Sequence, residues 1–105
     1  MKDPILSMLS LAQKAGKVVS GEFATEKAIK EGSAYLVIVA EDASDNTQKR
    51  FSNMCEYHEC DLMFYSTREM LGWAIGKEFR ASLALCDENF AEALKRKYDP
   101  ETTME

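Results

Sequence analysis

A glycine and a group of lysines are the residues of this chain best suited to bind a ligand. Gly21 joins a short predicted strand to a predicted helix, so the first backbone N–H groups of that helix point outward and can bind an anion. The nearby cations are Lys14, Lys17, Lys27 and Lys30. The pattern predicts a phosphate-binding edge on which these lysines converge. The alternative is ordinary solvated lysines, offset by Glu22 and Glu26.

The remaining reactive side chains form no coherent catalytic set. His58, the only histidine, falls on the apolar face of a predicted helix without an identifiable partner, which favours a structural role. Cys55, His58 and Cys60 lie close in sequence but lack the four ligands and the Cys-x-x-Cys spacing of structural zinc sites. Cys86 precedes a helix, so its thiol pKa could be lowered, although a packed thiol is the alternative. We therefore expect no enzyme activity, metal or cofactor.

Composition indicates one small globular domain. The chain has 105 residues, of which 46% are hydrophobic and 30% charged. We expect a single domain over residues 1–98, followed by a frayed acidic tail at 99–105. The net charge of −5 argues against coating nucleic acid by bulk positive charge. Without a long apolar run or a secretory signal, we expect a cytoplasmic protein that is a monomer and has no membrane contact.

Hydrophobic periodicity predicts helices and strands in strict alternation. The apolar run at 35–40 is typical of an inner strand covered on both faces. The other predicted strands lie at 18–19, 62–65 and 81–85. The predicted helices lie at 4–15, between Gly21 and Gly32, at 44–58, between a cap at Ser66 or Thr67 and Gly76, and from Asp87 onward. This order predicts an α/β fold, a three-layer α/β/α sandwich with a mixed four-stranded sheet.

Two glycines in the fourth predicted helix, Gly72 and Gly76, form a G-x-x-x-G pattern. No phosphate-loop lysine follows them, and no strand leads into a G-x-G-x-x-G fingerprint. They are better explained by close packing of the helix at Gly72 and by its C-terminal cap at Gly76.

Three segments together resemble one protein family. They are residues 21–32 (GEFATEKAIKEG), residues 40–44 (AEDAS) and residues 71–77 (LGWAIGK). Their similarity is to the Gly-Thr-Asn-Glu-x-x-Lys-Ala helix start, the Ala-Glu-Asp turn and the Leu-Gly-x-Ala-x-Gly segment of the ribosomal protein L-seven-Ae/L-thirty-e family, which binds kink-turns in RNA. The resemblance covers about residues 5–95 and is closest to small bacterial YlxQ-like members.

The resemblance implies the same sandwich fold, no catalysis, and recognition of a sharply bent internal loop in ribosomal or regulatory RNA, on or off the ribosome. Gly21 matches the family glycine that lets the backbone approach RNA, and Lys27 matches the phosphate-contacting lysine. The loop at 77–81 matches the one that covers an extruded base. With the lysines above, the predicted RNA-binding residues are Lys14, Lys17, Gly21, Glu22, Phe23, Lys27, Lys30, Lys77, Phe79 and Arg80.

The chain departs from the family pattern where guanine edges are read. Phe23 and Ala24 replace the family's Asn and Glu, and Glu22 replaces its Thr. Phe23 could stack on a base or pack as a hydrophobic staple. Loss of the polar groups predicts weaker, more salt-sensitive and less selective binding. The alternative is a protein-interaction module that has lost RNA recognition and uses exposed Phe23, Trp73 and Phe79 as its partner surface.

Overall fold

The computed structural model describes residues 3–98, in which five helices and four strands alternate. The elements are α1 (Pro4–Lys14), β1 (Val18–Ser20), α2 (Glu22–Glu31), β2 (Leu36–Val39), α3 (Asp45–Tyr57), β3 (Leu62–Phe64), α4 (Arg68–Ala74), β4 (Ser82–Leu85) and α5 (Glu88–Tyr98). The predicted order of elements is confirmed, and the predicted ends differ by at most two residues. The tail predicted at 99–105 lies outside the described residues.

The four strands form one mixed sheet in the order β1-β4-β2-β3. β4 pairs antiparallel with both β1 and β2, and Ala84 lies opposite Val19 on one side and Val37 on the other. β2 and β3 are parallel, with Ile38 opposite Met63. The predicted inner position of the apolar run is confirmed, since every residue of β2 and of β4 is buried.

Helices cover both faces of this sheet. α2 contacts α3, β1 and β4, whereas α1 contacts α4, α5 and β1. The three-layer α/β/α sandwich is therefore confirmed, with α2 and α3 in one outer layer and α1, α4 and α5 in the other. Large core side chains such as Leu9, Phe51 and Leu94 are fully buried against the strands. Among residues 3–98, no helix combines the length and the apolar character needed to cross a bilayer.

Asp3 fixes the start of α1. Its carboxylate accepts hydrogen bonds from the backbone N–H groups of Ile5 at 2.8 Å and Leu6 at 3.1 Å, and from the Tyr65 hydroxyl. Burial by itself would raise the pKa of Asp3, but these hydrogen bonds outweigh it and lower the pKa below the ordinary 3.8. Burial, together with the Asp3 bond, raises the pKa of Tyr65 to about 12. The Asp3 contribution to stability is thus present above pH 3.8 and is lost as the pH falls through the lowered value.

Candidate nucleic-acid interface

The start of α2 differs from the starts of the other helices. At the beginning of the other four helices, a side-chain oxygen accepts a hydrogen bond from a backbone N–H; these oxygens belong to Asp3, Ser44, Thr67 and Asp87. The residue at the start of α2 is Gly21, and no side chain within residues 3–98 caps this helix. The first-turn N–H groups of α2 are therefore available to an external acceptor.

The backbone of Gly21 has a conformation that only glycine adopts readily. Its dihedral angles are φ 92° and ψ 160°. The Gly21 N–H donates to the Ser82 carbonyl at 2.9 Å, and the Gly21 carbonyl accepts from the Thr25 N–H at 3.0 Å. The turn from β1 into α2 is thereby fixed against the first residue of β4. The predicted role of Gly21 as a turn that exposes backbone donors agrees with this geometry.

Four segments meet at this end of the sheet, and we call them together the Gly21 edge. They are residues 20–22, 40–44, 65–68 and 77–81. The Ala40 N–H donates to the Ala81 carbonyl at 2.9 Å, and the Glu41 N–H donates to the Ser66 carbonyl at 2.8 Å. The segments at 21–32, 40–44 and 71–77, which carried the family resemblance, therefore contribute to one region of the surface.

The loop at 77–81 is held in place from two sides. A Cβ atom added to Gly72 in α4 would lie 1.6 Å from the Glu78 carbonyl oxygen, so the loop backbone packs directly on this glycine. On the other side, the Arg80 guanidinium donates from Nε to Ser20 Oγ at 3.1 Å. Gly76, with φ 73°, follows the C-cap of α4 at Ile75. The packing and capping roles predicted for the two glycines are confirmed.

Lys27 and Lys30 lie on the exposed surface of α2. The Lys27 side chain is 62% exposed, and its Nζ is 4.0 Å from Glu31. Lys30 is more firmly paired, with Nζ 2.8 Å from Glu26. Both lysines line a shallow groove of about 310 Å³ together with Phe23. Lys27 is thus the less constrained of the two cations and lies closer to Gly21.

The structure does not bring Lys14 and Lys17 to the Gly21 edge. Lys14 ends α1, and the Lys17 carbonyl accepts from the Cys86 N–H at 2.8 Å, beyond the far end of β4. β1 runs straight from Lys17 to Gly21, which separates the two by about 13 Å at 3.3 Å per residue. The expected convergence of the four lysines at the start of α2 is not observed, because Lys17 lies at the opposite end of β1 and Lys30 lies in the last turn of α2. RNA contact by Lys14 and Lys17 stays a prediction.

Arg50 of α3 is a member of this surface that the sequence reasoning missed. Its Nη1 is 2.5 Å from Glu22 Oε1, and its Nη2 pairs with Glu26. The carboxylate of Glu22 is therefore matched by a cation from the neighbouring helix. No local sequence pattern reveals this pair, because it depends on α2 and α3 being adjacent in the outer layer.

The aromatic side chains near the Gly21 edge are unusually open. Phe23 is 82% exposed, so it is not packed as a hydrophobic staple. Phe79 is 62% exposed and Trp73 is 59% exposed. These two line an open groove of about 610 Å³, which we call the Trp73 groove. Its other lining residues are Glu69, Lys77, Glu78 and Arg80.

The thiols and the histidine lie away from this edge. Burial raises the pKa of the Cys86 thiol, so the lowered value considered from sequence is wrong. A hydrogen bond from Cys55 lowers the pKa of Cys60, and the same bond raises that of Cys55. His58 is exposed at the end of α3, where its ring meets the edge of Tyr57. Within residues 3–98, no three His, Cys, Asp or Glu side chains are grouped to hold a metal ion.

Comparisons with known proteins show which sequences this chain is similar to. The sequence pattern of the ribosomal protein L7Ae/L30e/S12e/Gadd45 family matches residues 3–95 of this chain. The chain is 42% identical over 87 residues to the RNA-binding protein YlxQ of Bacillus subtilis (strain 168), covering 83% of this chain and 87% of that protein. It is 33% identical over 94 residues to the large ribosomal subunit protein eL30B of Schizosaccharomyces pombe, covering 88% of this chain and 80% of that protein.

Solved structures show the same fold. A protein of unknown function from Bacillus halodurans C superposes with a TM-score of 0.90 at 33% identity, covering 93% of this chain and 99% of that one. The Giardia lamblia 15.5kD RNA binding protein superposes with a TM-score of 0.77 at 17% identity, covering 95% of this chain and 86% of that one. The second likeness concerns the fold alone.

Proposed function

Because the chain belongs to the ribosomal protein L7Ae/L30e/S12e/Gadd45 family, we propose that it binds RNA at the Gly21 edge and recognises a sharply bent internal loop of the kink-turn type. The observation that carries this proposal is the uncapped start of α2 at Gly21, with Lys27 beside it and the fixed 77–81 loop next to it. The name of the YlxQ relative, an RNA-binding protein, supports the ligand class. In this proposal, the protein is a cytoplasmic monomer that binds ribosomal or regulatory RNA and catalyses no reaction.

Recognition in this proposal relies on the RNA backbone and its shape. The N–H groups at the start of α2 bind a phosphate, and Lys27 adds a charge within reach of the same strand. Phe23 is free to stack on a base because its ring is exposed. A bent loop with splayed bases is the kind of RNA that proteins recognise through such contacts. With Phe23 and Ala24 at the positions that read guanine edges in the family pattern, shape contributes more than base identity.

Replacing Lys27 tests the phosphate contact. We expect Lys27→Ala to weaken binding of a kink-turn RNA about fivefold and to reduce the slope of log affinity against log salt by about 1. The fold should remain intact, because the Lys27–Glu31 pair is exposed and contributes little to stability. Titration of a dye-labelled kink-turn RNA at two salt concentrations measures both quantities.

Two controls make this experiment decisive. Lys97→Ala removes the same charge from α5, in the opposite outer layer, and should leave RNA affinity unchanged. An RNA with its sheared G·A pairs disrupted should bind less tightly than the intact kink-turn. Equal affinity of Lys27→Ala and the parent protein would reject the proposed interface. Equal binding of both RNAs would reject kink-turn recognition while leaving RNA binding in place.

Substitutions of the two partners in the Arg50–Glu22 pair should change RNA affinity in opposite directions. We expect Glu22→Gln to strengthen RNA binding about threefold, because one negative charge beside the phosphate is removed. We expect Arg50→Gln to weaken it about tenfold, because Glu22 then loses its cation and Glu26 keeps only Lys30 beside the RNA. Arg96→Gln on α5 loses the same charge at a distance and serves as the control. Equal affinities for Arg50→Gln and Arg96→Gln would show that Arg50 does not act at the interface.

A protein-interaction module is the second candidate function. It is favoured by the exposure of Phe23, Trp73 and Phe79 on a chain with a net charge of −5. Exposed aromatic side chains of this kind are common in protein interfaces. The RNA titration separates the candidates, because absence of binding to either RNA would favour a protein partner on this surface.

A further inference from the structure

The end of the sheet opposite the Gly21 edge holds a pair of thiols that the proposed RNA binding does not use. Cys55 lies in the last turn of α3, and Cys60 lies in the turn that leads from α3 into β3. The Asp61 carbonyl accepts from the Val37 N–H at 2.9 Å, which places this turn beside the start of β2. Both cysteines are free thiols. The pair is therefore remote from the proposed RNA surface.

The backbone brings these two cysteines together. The Cys60 N–H donates to the Cys55 carbonyl at 2.8 Å, and the Glu59 N–H donates to the Glu56 carbonyl at 3.2 Å. Glu59 has φ 55°, so the end of α3 forms a Schellman motif, in which side chains at the positions of Cys55 and Cys60 frequently make contact. The 2.8 Å bond and standard backbone dimensions keep the two Cα atoms within about 6.7 Å. A disulfide can span that separation.

The two thiols have unequal environments. Cys55 is 2% exposed, whereas Cys60 is partly exposed. The hydrogen bond from Cys55 and the charge of Lys95 lower the pKa of Cys60, although burial and the Asp61 carboxylate oppose them. Lys95 is held in place by Asp61, with Nζ 2.6 Å from Oδ2. The thiolate is the nucleophilic form of cysteine, so Cys60 is the reactive member of the pair.

We propose that Cys55 and Cys60 form an oxidation site at which a peroxide produces an intramolecular disulfide. The Cys60 thiolate attacks one oxygen of hydrogen peroxide and breaks the O–O bond, which gives a sulfenic acid and releases hydroxide. Cys55 Sγ then attacks the Cys60 sulfur, so the S–S bond forms and the S–O bond breaks. The Cys55 proton leaves with the departing oxygen as water, and the earlier hydroxide takes a proton from solvent. The two thiols thus lose two electrons, and the peroxide is reduced to water.

Cys86, the remaining thiol of the chain, is the internal control. It is partly exposed like Cys60, but its hydrogen-bond partner is the Ser33 hydroxyl instead of a second thiol. Burial raises the pKa of Cys86, which lowers the fraction of reactive thiolate. We therefore expect hydrogen peroxide to oxidise Cys86 about tenfold more slowly than Cys60.

Trypsin separates the two kinds of thiol. Cleavage after lysine and arginine leaves Cys55 and Cys60 in one peptide, residues 51–68, and Cys86 in another, residues 81–95. The reduced full chain is treated with hydrogen peroxide, free thiols are alkylated with iodoacetamide, and the peptides are measured by mass spectrometry. The 51–68 peptide should lose the mass of two hydrogen atoms and resist alkylation, while the 81–95 peptide is still alkylated. Dithiothreitol added before alkylation should restore both thiols of the pair.

Three variants check the assigned roles. Cys55→Ala should stop at the sulfenic acid of Cys60, which dimedone traps, and Cys60→Ala should leave Cys55 reduced. Cys86→Ala should form the disulfide at the parental rate.

The parent protein alone decides the proposal, whatever the stability of the variants. A pair that stays reduced, oxidation of Cys86 as fast as Cys60, or a cross-link between the two peptides would overturn it. So would over-oxidation of Cys60 while Cys55 can still be alkylated. None of these measurements involves RNA, so the outcome is independent of the proposed RNA binding.

Discussion

We expect Gly72→Ala to lower the free energy of unfolding by about 3 kcal/mol, at the upper end of the usual cost of overpacking. The expectation follows from the added Cβ, which would lie 1.6 Å from the Glu78 carbonyl oxygen and 2.5 Å from its carbon. Both atoms belong to the backbone, so no side-chain rotation relieves the contact. The gain in helix propensity from glycine to alanine, at most about 1 kcal/mol, cannot compensate. Urea denaturation followed by circular dichroism gives the difference.

Gly16→Ala is the control for this measurement. Gly16 has φ 73°, and an added Cβ would meet no atom within 4 Å, so only the backbone conformation opposes alanine. We expect a loss of about 1 kcal/mol there, with RNA affinity unchanged. Gly72→Ala should also reduce RNA affinity, because the loop at 77–81 has to move away from α4. An unfolding midpoint of Gly72→Ala equal to that of the parent protein would show that the loop yields freely.

The second large effect is expected for Gly21→Asn. Asparagine is a favourable residue at a helix start, so on capping grounds alone this substitution should stabilise α2. At φ 92° and ψ 160°, however, the backbone is in a region that is essentially restricted to glycine, and a side chain there costs about 1–3 kcal/mol. We expect a net loss of about 2 kcal/mol in the free energy of unfolding. RNA affinity should fall more than tenfold, because relief of the strain rotates the first-turn N–H groups of α2.

Gly32→Asn isolates the cause of that loss. Gly32 ends the same helix at φ 78° and ψ 17°, the left-handed conformation that asparagine tolerates. We expect this variant to stay within about 0.5 kcal/mol of the parent protein and to bind RNA normally. If Gly21→Asn proved as stable as Gly32→Asn, the conformation at Gly21 would not be required for folding. Unfolding midpoints and RNA titrations on the two variants show whether the losses come from the backbone conformation at Gly21.

The order of elements could be predicted because each one carries local signals. Asp3 and Pro4 start α1, Gly32 ends α2, and the apolar run at 35–40 has the character of a buried strand. The strand order could not be predicted in the same way. β4 lies between β1 and β2, which are both distant from it in sequence, and no local pattern encodes that placement.

The candidate site was predictable in part for the same reason. Gly21 and Lys27 lie within the first two turns of one helix, so their spacing was informative. Lys17 was misplaced because Lys17 and Gly21, although close in sequence, lie at opposite ends of β1. Arg50 was missed because its partners Glu22 and Glu26 belong to another helix. Trp73 was named only as a partner surface, since its groove depends on how the 77–81 loop packs on α4.

The inner position of β4 also constrains when the chain can fold during synthesis. β1 and β2 have no bonded contact with each other and are joined only through residues 82–85. Until those residues have left the ribosome, the apolar strand at 36–39 lacks its partner on one side, because β3 alone can pair with it. Completion of the sheet therefore has to wait for β4, the last strand in residues 3–98. Translation pauses or truncations before residue 85 should leave a species prone to aggregation, and chaperones that hold exposed apolar strands should act within that interval.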